Sequence, residues 1–363
     1  MNKELTSSSS SSQTIFYNIH DFINIKVNFQ GRFKSNQAID MLSSFKVTNQ
    51  DEITLNVNIG KFEPKLENCR VVNYRTYISD DYIYSSGKIK NFKYKIEYID
   101  AFSSNPTINI EYEFTHLLKK LYHYAIAQSI FIVPLIEYYL LNKNIAVIHA
   151  AALSDESQAF VLFGRGGVYK TSLAMDLERQ GNMNFLSDDK ILIGEDKKVY
   201  SFPTFSEIFS FRKNHLKNEN IRFTKKLLFL FKIYNNSHET MKVHSPKVLN
   251  SLFSLTKNLD PKKNVVPNLN NKELINSLMK SYRLEKHSSQ GIGGYSSGLF
   301  EELLISYSFI FPESPTTLFD DKYLQIIKNI FNERNYKGLS TDVEYSVDYY
   351  NRVLENINVR KVI

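Results

Sequence analysis

The chain has 363 residues, of which 42% are hydrophobic and 23% are charged. This length predicts two domains, and the composition is that of a folded protein, which excludes disorder as the overall state. The net charge of +7 would suit an anionic partner, a nucleotide or an acidic peptide rather than nucleic acid. The charge is spread along a sequence rich in lysine, asparagine and isoleucine, so a general bias in composition explains it equally well. The single cysteine, Cys69, excludes an intrachain disulfide and a multi-cysteine zinc site, and it fits a reducing cytoplasm.

The N-terminus is a polar, serine-rich run without an apolar core, so residues 1–13 are predicted to be a disordered tail and not a signal peptide. The longest apolar stretch, residues 122–141, is interrupted by His123, Gln128, Pro134 and Glu137. We expect it to fall short of a membrane-spanning helix. The sequence therefore predicts a cytoplasmic protein with no membrane partner.

Residues 14–114 alternate between apolar and polar side chains, which is the pattern of half-buried strands. The alternation is clearest over residues 23–29, 92–98 and 107–114. Turn-forming residues, at 49–51 and 85–87, are taken to separate the runs. This pattern predicts a β-rich N-terminal domain of twisted antiparallel strands.

From residue 115 the apolar spacing becomes helical, and it continues to residue 142 with Pro134 expected to kink or divide the helix. Strands, helices and a hairpin then alternate along the chain. The predicted strands are 145–149, 160–163, 184–186 and 250–256, with a hairpin of 190–193 and 198–201. The predicted helices are 172–180, capped by Gly181, and 225–234, 272–282 and 323–334. Together these elements predict an α/β fold.

A glycine-rich segment, residues 164–171 with the sequence G-R-G-G-V-Y-K-T, follows a buried strand and opens a helix. It matches the phosphate loop G-x-x-x-x-G-K-[ST] except that Tyr169 stands at the sixth position in place of glycine. A phosphate loop needs a flexible backbone whose N–H groups turn inward, a lysine for the phosphates, a hydroxyl for Mg²⁺ and a helix N-terminus. The candidate nucleotide-binding residues are Gly164, Gly166, Gly167, Val168, Tyr169, Lys170, Thr171 and Ser172.

Two questions about this loop stay open at the level of sequence. The segment could be a glycine-rich turn whose lysine is merely exposed. Tyr169 is compatible with nucleotide binding if its φ is negative, because only a left-handed backbone requires glycine. Otherwise its ring would narrow the loop and change or abolish nucleotide use.

Asp188 and Asp189 end the next predicted strand, after one helix's length of chain, and we expect that strand to lie beside the phosphate loop in the sheet. Two adjacent carboxylates can divide the work, with one binding Mg²⁺ and the other accepting a proton from an attacking hydroxyl. The alternative is an Asp-Asp turn that caps a helix or strand.

Four segments carry a resemblance to a known family: residues 147–151, 159–164, 170–174 and 186–189. Their pattern of a His-Ala strand, a phosphate loop and an Asp-Asp strand resembles the HPr kinase/phosphorylase family and its serine-kinase-like relatives, whose core PEP carboxykinases share. The resemblance covers about residues 130–215 and extends to about 310 by element order, and it implies a P-loop kinase domain of the HPr kinase/PEP carboxykinase type. The chain as a whole is therefore predicted to be an α/β protein in which this domain follows the β-rich N-terminal domain. The predicted bounds are a tail at 1–13, the N-terminal domain at 14–114, the kinase-like domain at 115–315 and a C-terminal helical or extended region at 316–363.

The resemblance implies ATP- and Mg²⁺-dependent phosphorylation of a serine hydroxyl on a small molecule, peptide or protein. Lys170 would bind the β-phosphate, Thr171 and Asp188 would bind Mg²⁺, and Asp189 or Asp188 would act as the base. His149 would lie near the transferred phosphate, although a histidine hydrogen-bonded in the core is the alternative for this residue.

The chain departs from the family at Tyr169, and the family's later glycine signature with its carboxylate is missing, so HPr itself is not the expected substrate. The glycines of residues 290–295 are out of place for a second phosphate site and predict a loop or lid. Three functions remain: a serine kinase, a non-catalytic nucleotide sensor or peptide-binding module, and a PEP-carboxykinase-like or sugar-type phosphotransferase. The expected partners are a nucleotide and a hydroxyl-bearing substrate, with a homo-oligomer left open.

Overall fold

The computed structural model describes residues 13–33, 40–89, 92–114, 123–180, 183–203, 243–257, 268–287, 296–314, 319–332, 336–341 and 345–357. Several sequence predictions fall outside these residues: the tail at 1–13 apart from Gln13, the Gly181 cap, the helix at 225–234 and the loop at 290–295. Gln13 was predicted to end the disordered tail, and it is instead the first residue of a strand.

The described residues form strands and helices in the following order. The strands are β1 (Gln13–Ile19), β2 (Ile23–Phe29), β3 (Lys46–Val47), β4 (Leu55–Ile59), β5 (Arg70–Val72), β6 (Thr76–Ser79), β7 (Tyr82–Ile89), β8 (Phe92–Ile99), β9 (Thr107–Phe114), β10 (Ile145–Ile148), β11 (Ala150–Ser154), β12 (Gln158–Phe163), β13 (Asn184–Ser187), β14 (Ile191–Gly194), β15 (Lys198–Ser201), β16 (Lys247–Lys257), β17 (Asn268–Leu269) and β18 (Tyr336–Thr341). The helices are α1 (His123–Ala127), α2 (Val133–Asn142), α3 (Lys170–Arg179), α4 (Asn271–His287), α5 (Ser296–Ile310), α6 (Phe319–Ile330) and α7 (Val347–Ile357). Two large sheets with helices confirm the α/β class.

The described residues group into two compact units. The first lies within Met1–Asp40, Phe45–Gln128 and Leu299–Thr317, and the second within Met41–Ser44, Ser129–Gly298 and Leu318–Ile363. The predicted bounds at 114 and 315 differ from this grouping, because most of α5 joins the first unit. Its Phe300 ring lies 5.6 Å from that of Tyr98, an aromatic contact that the sequence pattern did not reveal. As a statement about independent folding domains, the predicted bounds stay a prediction.

The sheet of the first unit has the strand order β3-β1-β2-β4-β9-β8-β7-β6-β5. Most neighbours are antiparallel, but β4 is parallel to both β2 and β9. The prediction of antiparallel strands is therefore confirmed for most pairs of this sheet and wrong for the two pairs that β4 forms. Alternation of side chains identifies a strand without giving its direction, and the long connections on both sides of β4 allow a parallel return.

The predicted turn at residues 85–87 is also wrong, since these residues lie inside β7. Gly87 is paired with Tyr94 across the β7–β8 ladder. A Cβ on Gly87 would lie 2.8 Å from the Tyr94 hydroxyl oxygen, so glycine makes room for the tyrosine ring.

A row of polar side chains crosses the first sheet. Asn28 donates to Asn58 at 2.9 Å, Asn58 donates to Asn109 at 2.8 Å, and Asn109 donates to Glu97 at 2.6 Å. Tyr82 donates to the other oxygen of Glu97 at 2.5 Å. We call these five residues the amide row. The five residues lie on five neighbouring strands of the sheet, in the order β2, β4, β9, β8 and β7. The row therefore joins these strands through side-chain hydrogen bonds.

The second unit has three layers. Alternate residues of β11 face two different cores: Ala151 and Leu153 pack with Leu173 of α3, whereas Ala150 and Ala152 pack with Leu274 of α4. Helices α3 and α7 thus cover one face of the sheet, and α4, α6 and the end of α2 cover the other. A sheet buried on both faces explains why β10, β11 and β14 read as continuous apolar runs.

The strand order of the second sheet is β10-β14-β15-β16-β12-β11-β13; in addition, β18 pairs with β16, and β17 pairs with β18. Strand β12 is parallel to β16 and antiparallel to β11, and β13 is antiparallel to β11. The sequence predicted that the strand before the aspartates lies beside the phosphate loop in the sheet. This is wrong for the strand order, because β11 lies between β12, which precedes the loop, and β13, which precedes the aspartates. The ends of β12 and β13 and the start of β11 nevertheless meet at one edge of the sheet.

Local predictions in the second unit are confirmed for the most part. The β14–β15 hairpin, β16 and α4 all form, whereas the helix expected at 323–334 ends at Ile330. A π-helical turn at Gln128–Ile132 separates α1 from α2, whose first turn contains Pro134. Because proline lacks an N–H group, the break at this point has a local cause.

Among the described helices, the run His123–Asn142 is long and apolar enough to cross a membrane by length and composition, so the sequence estimate that it falls short was too strict. Of its 18-residue apolar window, 89% is buried inside the protein. That burial is what a core helix of a soluble protein shows, and such a helix is weak evidence for a membrane span.

Candidate functional site

The glycine loop connects β12 to α3, as the sequence predicted. Gly164 has φ +155°, and a Cβ at this position would lie 2.5 Å from the carbonyl oxygen of Leu255 on β16. Gly167 has φ +87°, a value that side-chain-bearing residues rarely adopt. Two of the loop glycines are thus required by the backbone, the first by close approach as well as by its dihedral angle.

The other residues of the loop differ in exposure. A Cβ on Gly166 would meet nothing within 4 Å, so this position is open. Val168 is buried in the same core cluster as Leu173 of α3, so only its backbone can face a ligand. Ser172 lies in the first turn of α3, where backbone N–H groups have no acceptor within the helix. The loop therefore offers main-chain N–H groups next to a helix N-terminus, which is the arrangement that binds phosphate.

The backbone of Tyr169 does not meet the condition of a negative φ under which tyrosine was expected to be compatible with nucleotide binding. Its φ is +65° and its ψ is +21°, which places it in the left-handed region and not at the negative φ that would have made tyrosine neutral there. A left-handed residue with a Cβ costs about 1 to 2 kcal/mol. The ring has compensating contacts: it lies 5.4 Å from the Tyr345 ring, and the Lys257 ammonium lies 4.1 Å from its centroid.

Lys170 is the first residue of α3, and only 6% of it is exposed. Its ammonium donates to the carbonyl oxygens of Gly164 at 2.6 Å and Arg165 at 3.3 Å. It also lies 3.2 Å from Nε2 of His149. The lysine therefore points into the loop, and the alternative of an exposed lysine at an ordinary turn does not fit this geometry.

Thr171 donates from Oγ1 to Oδ2 of Asp188 at 2.6 Å. Asp188 is 5% exposed, and burial raises the pKa of its carboxyl group above the ordinary value of an aspartate, while the Thr171 hydrogen bond opposes that rise. The pair joins the helix after the loop to the end of β13. A hydroxyl and a carboxylate are hard oxygen donors of the kind that Mg²⁺ prefers.

Within the described residues, no group of three or more His, Cys, Asp or Glu side chains is arranged to hold a metal ion. This does not conflict with Mg²⁺, which keeps several waters and is often bound through one or two carboxylates together with phosphate oxygens. Thr171 and Asp188 fit that limited role, and they do not form a complete protein cage.

Asp189 and His149 form the second pair of the site, with Oδ1 of the aspartate 3.1 Å from Nδ1 of the histidine. Since an ammonium group can only donate, the Lys170 contact assigns the lone pair to Nε2. The proton of neutral His149 is then on Nδ1, where it is donated to Asp189. The side chain of Asp189 is 39% exposed, so its carboxylate remains accessible to a substrate, unlike that of Asp188.

The two aspartates lie on a strained turn. Asp189 has φ +66°, and the N–H of Lys190 donates to the carbonyl of Asp188 at 2.7 Å. This is a three-residue γ-turn with a positive φ at its centre, a conformation that is rare and strained. Such strain persists only where neighbouring contacts hold the backbone.

Those contacts involve three residues that the sequence analysis did not select as site residues. Lys190 forms an ion pair with Glu137 of α2, and its carbonyl accepts a 2.8 Å hydrogen bond from Ser187. The signal for Glu137 was present, because an isolated carboxylate inside an otherwise apolar helix usually has a buried partner. Nothing in the sequence pattern named Lys190 as that partner.

The structure thus brings together five predicted residues from three chain segments: His149, Lys170, Thr171, Asp188 and Asp189. It does not test their chemical roles, which stay predictions.

Comparisons with known proteins give little further information. No family model matches the sequence, and no curated protein matches it. Among solved structures, the HPr(Ser) kinase/phosphatase from Coxiella burnetii is similar at 18% identity, with a match that covers 39% of this chain and 99% of that chain. The TM-score is 0.19, which does not establish a shared fold.

Proposed function

We propose that the second unit binds ATP with Mg²⁺ and transfers a phosphoryl group to a hydroxyl, such as a serine hydroxyl of a small molecule, peptide or protein. The observation that supports this most is the meeting of three groups at one edge of the sheet: the Lys170 ammonium in the loop, the Thr171–Asp188 pair and the Asp189–His149 pair. Phosphoryl transfer needs little covalent chemistry from the protein, so positioning and charge are the main requirements.

The binding roles follow from the positions of these groups. The main-chain N–H groups of the loop and of the first turn of α3 would hold phosphate oxygens, and the Lys170 ammonium would supply positive charge. Thr171 and Asp188 would hold Mg²⁺, which when bound neutralises negative charge on the phosphates. The burial of Asp188 suits this role, since a metal ion favours the charged carboxylate that burial alone disfavours.

Asp189 is the better candidate for the base, because its carboxylate is partly exposed while that of Asp188 is occupied by Thr171. It would accept the proton of the acceptor hydroxyl as the new bond from that oxygen to the γ-phosphorus forms and the bond from the γ-phosphorus to the departing ADP breaks. His149, which donates to Asp189 and accepts from Lys170, would orient both groups.

One observation supports a second candidate, a nucleotide-binding protein without turnover. Tyr169 occupies the glycine position of the loop in a left-handed conformation, so the loop carries a bulky ring where the motif has none. In that case ATP would bind and no hydroxyl substrate would be phosphorylated. A cytoplasmic location and a homo-oligomeric state stay predictions under either function.

Calorimetric titration with ATP, ADP and GTP, each with and without Mg²⁺, tests the binding step. The unaltered protein is expected to bind Mg·ATP, and Lys170→Ala is expected to bind it about 10- to 150-fold more weakly, from the loss of about 1.5 to 3 kcal/mol of charge-assisted hydrogen bonding. Lys198→Met is the matched control, because this lysine lies on the β14–β15 hairpin with 48% of its side chain exposed. Equal ATP binding by all three proteins would contradict the proposal.

The transfer step is tested by ATP consumption in the presence of free serine and serine-containing peptides. Release of ADP that depends on the acceptor supports the kinase. Tight ATP binding with no transfer to any acceptor, together with transfer gained in Tyr169→Gly, would instead support the non-catalytic candidate.

A further inference from the structure

Lys257 is the last residue of β16, and it lies at the same edge of the sheet as the phosphate loop. Phe163, the last residue of β12, is level with Ser254 in the parallel β12–β16 ladder. Gly164, the residue after β12, lies close to Leu255 of β16, since a Cβ on Gly164 would be 2.5 Å from the Leu255 carbonyl oxygen. Strand β16 therefore continues along the start of the loop, and Lys257 is carried beside it.

The Lys257 side chain is placed by a residue of the loop itself. Its ammonium lies 4.1 Å from the centroid of the Tyr169 ring, which is well within the range of a cation–π interaction. Such a contact needs an aromatic ring, so glycine at the sixth position of the loop could not provide it.

The Tyr169 ring is held in turn by a second tyrosine. Its centroid lies 5.4 Å from the Tyr345 ring, and the Tyr345 hydroxyl donates to Oδ2 of Asp176 at 2.8 Å. Asp176 is 7% exposed and belongs to α3, the helix that the loop opens. The contacts of the ring thus lead back to the same helix, which explains how a left-handed tyrosine is stabilised at this position.

We infer that Lys257 is a second phosphate-binding cation of the loop and that Tyr169 replaces glycine to hold it there. This rests on the proposed nucleotide site and deepens it. The Lys170 ammonium already donates to two loop carbonyls and contacts His149. A second ammonium beside the loop adds charge for a ligand with several phosphates, so the ligand class is a polyphosphate such as a nucleoside triphosphate.

The test compares three groups of proteins by calorimetric titration with Mg·ATP and with inorganic pyrophosphate, which has the phosphates and no nucleoside. Lys257→Met removes the charge, and Lys257→Arg keeps it. Lys247→Met is the matched control, because Lys247 begins the same strand and its ammonium is bonded to the Glu156 carbonyl at the opposite end. Tyr169→Gly restores the motif glycine and removes the ring, whereas Tyr169→Phe keeps the ring.

Lys257→Met is expected to weaken the binding of both ligands about 5- to 20-fold, and its dissociation constants should depend less on salt concentration than those of the unaltered protein. Lys257→Arg should bind more tightly than Lys257→Met, and Tyr169→Phe more tightly than Tyr169→Gly. Thermal unfolding of each variant shows whether it is folded, and Lys257 is exposed, so its replacement leaves the core intact.

Three results overturn the inference in different ways. If the unaltered protein binds Mg·ATP and Lys257→Met binds it equally well, the role of Lys257 is wrong while the nucleotide site stands. If the unaltered protein binds neither ATP nor pyrophosphate, the proposed function fails and this inference fails with it. Tighter ATP binding by Tyr169→Gly than by the unaltered protein would also contradict it, because the ring would then be an obstacle.

Discussion

The hydroxyl of Thr171 and the carboxylate of Asp188 are joined by a 2.6 Å hydrogen bond, although 17 positions separate them in the chain. This bond connects the start of α3 to the end of β13 across the edge of the second sheet. The bond offsets only part of the cost of burying the Asp188 carboxylate: burial raises the pKa of Asp188, the Thr171 hydrogen bond lowers it, and the net shift is upward. The two residues thus combine a structural cost with the oxygen donors that the proposed Mg²⁺ site requires.

Asp188→Asn is expected to separate stability from metal binding. A raised pKa means that the folded state disfavours the charged carboxylate, so at neutral pH a neutral amide should leave the free energy of unfolding unchanged or raise it by about 1 kcal/mol. The same substitution should weaken Mg²⁺-dependent ATP binding about tenfold or more, because a carboxylate ligand is lost. Thermal unfolding and calorimetry with and without EDTA measure the two effects.

The matched control for this substitution is Asp196→Asn, on the turn of the β14–β15 hairpin, where 41% of the aspartate side chain is exposed. It should leave Mg²⁺-dependent ATP binding unchanged. A marked loss of stability in Asp188→Asn would show that the carboxylate stabilises the fold, contrary to the direction of its pKa shift.

Asp189→Asn is expected to reduce turnover without weakening ATP binding, in contrast to Asp188→Asn. The amide still accepts a hydrogen bond from His149, so Mg·ATP should bind within about twofold of the unaltered protein. Turnover should fall about 10²- to 10⁴-fold, the usual contribution of a general base. Single-turnover measurement of ADP release checks this, and a variant with full turnover would remove Asp189 from the base role.

Gly164→Ala should destabilise the second unit, whereas Gly166→Ala should not. The first substitution places a Cβ 2.5 Å from the Leu255 carbonyl oxygen at a φ of +155°, and we expect a loss of about 2 to 4 kcal/mol in the free energy of unfolding. At Gly166 an added Cβ meets nothing within 4 Å. Urea unfolding of both variants makes the comparison, and equal midpoints would show that the approach of β16 is not tight.

Tyr323→Phe should change how stability depends on alkaline pH. Burial raises the pKa of this tyrosine, so above about pH 10 the hydroxyl ionises in the unfolded chain but not in the folded protein. Its contribution to stability is complete below pH 10 and is lost as the pH rises, by up to about 1.4 kcal/mol per pH unit.

The phenylalanine variant should therefore show a shallower fall in melting temperature between pH 9 and pH 11. At pH 8 it should be less stable by about 1 kcal/mol, since the hydroxyl donates to the Val147 carbonyl at 3.3 Å. Tyr74→Phe is the control, because Tyr74 is 96% exposed and meets water in both states. Identical pH slopes for all three proteins would contradict the assignment.

Much of the second unit could be predicted from the sequence because its signals are local. A buried strand followed by glycines and Lys-Thr specifies the strand, the loop and the start of α3 within one short segment. The same holds for the hairpin around Gly194, where turn residues separate two apolar runs. The candidate site could be predicted for this reason, since each of its five residues lies within two positions of the end of a strand or helix.

Relations between distant segments could not be predicted in the same way. Alternation along β4 does not tell whether its neighbours run parallel, and Gly87 resembles a turn residue until Tyr94 is placed opposite it. The intervening position of β11 depends on sheet order, which no local pattern contains. Likewise, the left-handed backbone of Tyr169 follows from its partners Tyr345 and Lys257, both far away in the chain.

The amide row has a consequence for how the first sheet chooses its alignment. Strand β4 is parallel to both neighbours, so no hairpin turn can set its position along them. If β4 shifted by one residue, Asn58 would turn to the apolar side and Val57 or Ile59 would face its asparagine neighbours. Each misplaced amide would then lack hydrogen-bond partners in a buried setting, so the shifted sheet would be less stable, and the asparagines select one alignment where loops cannot.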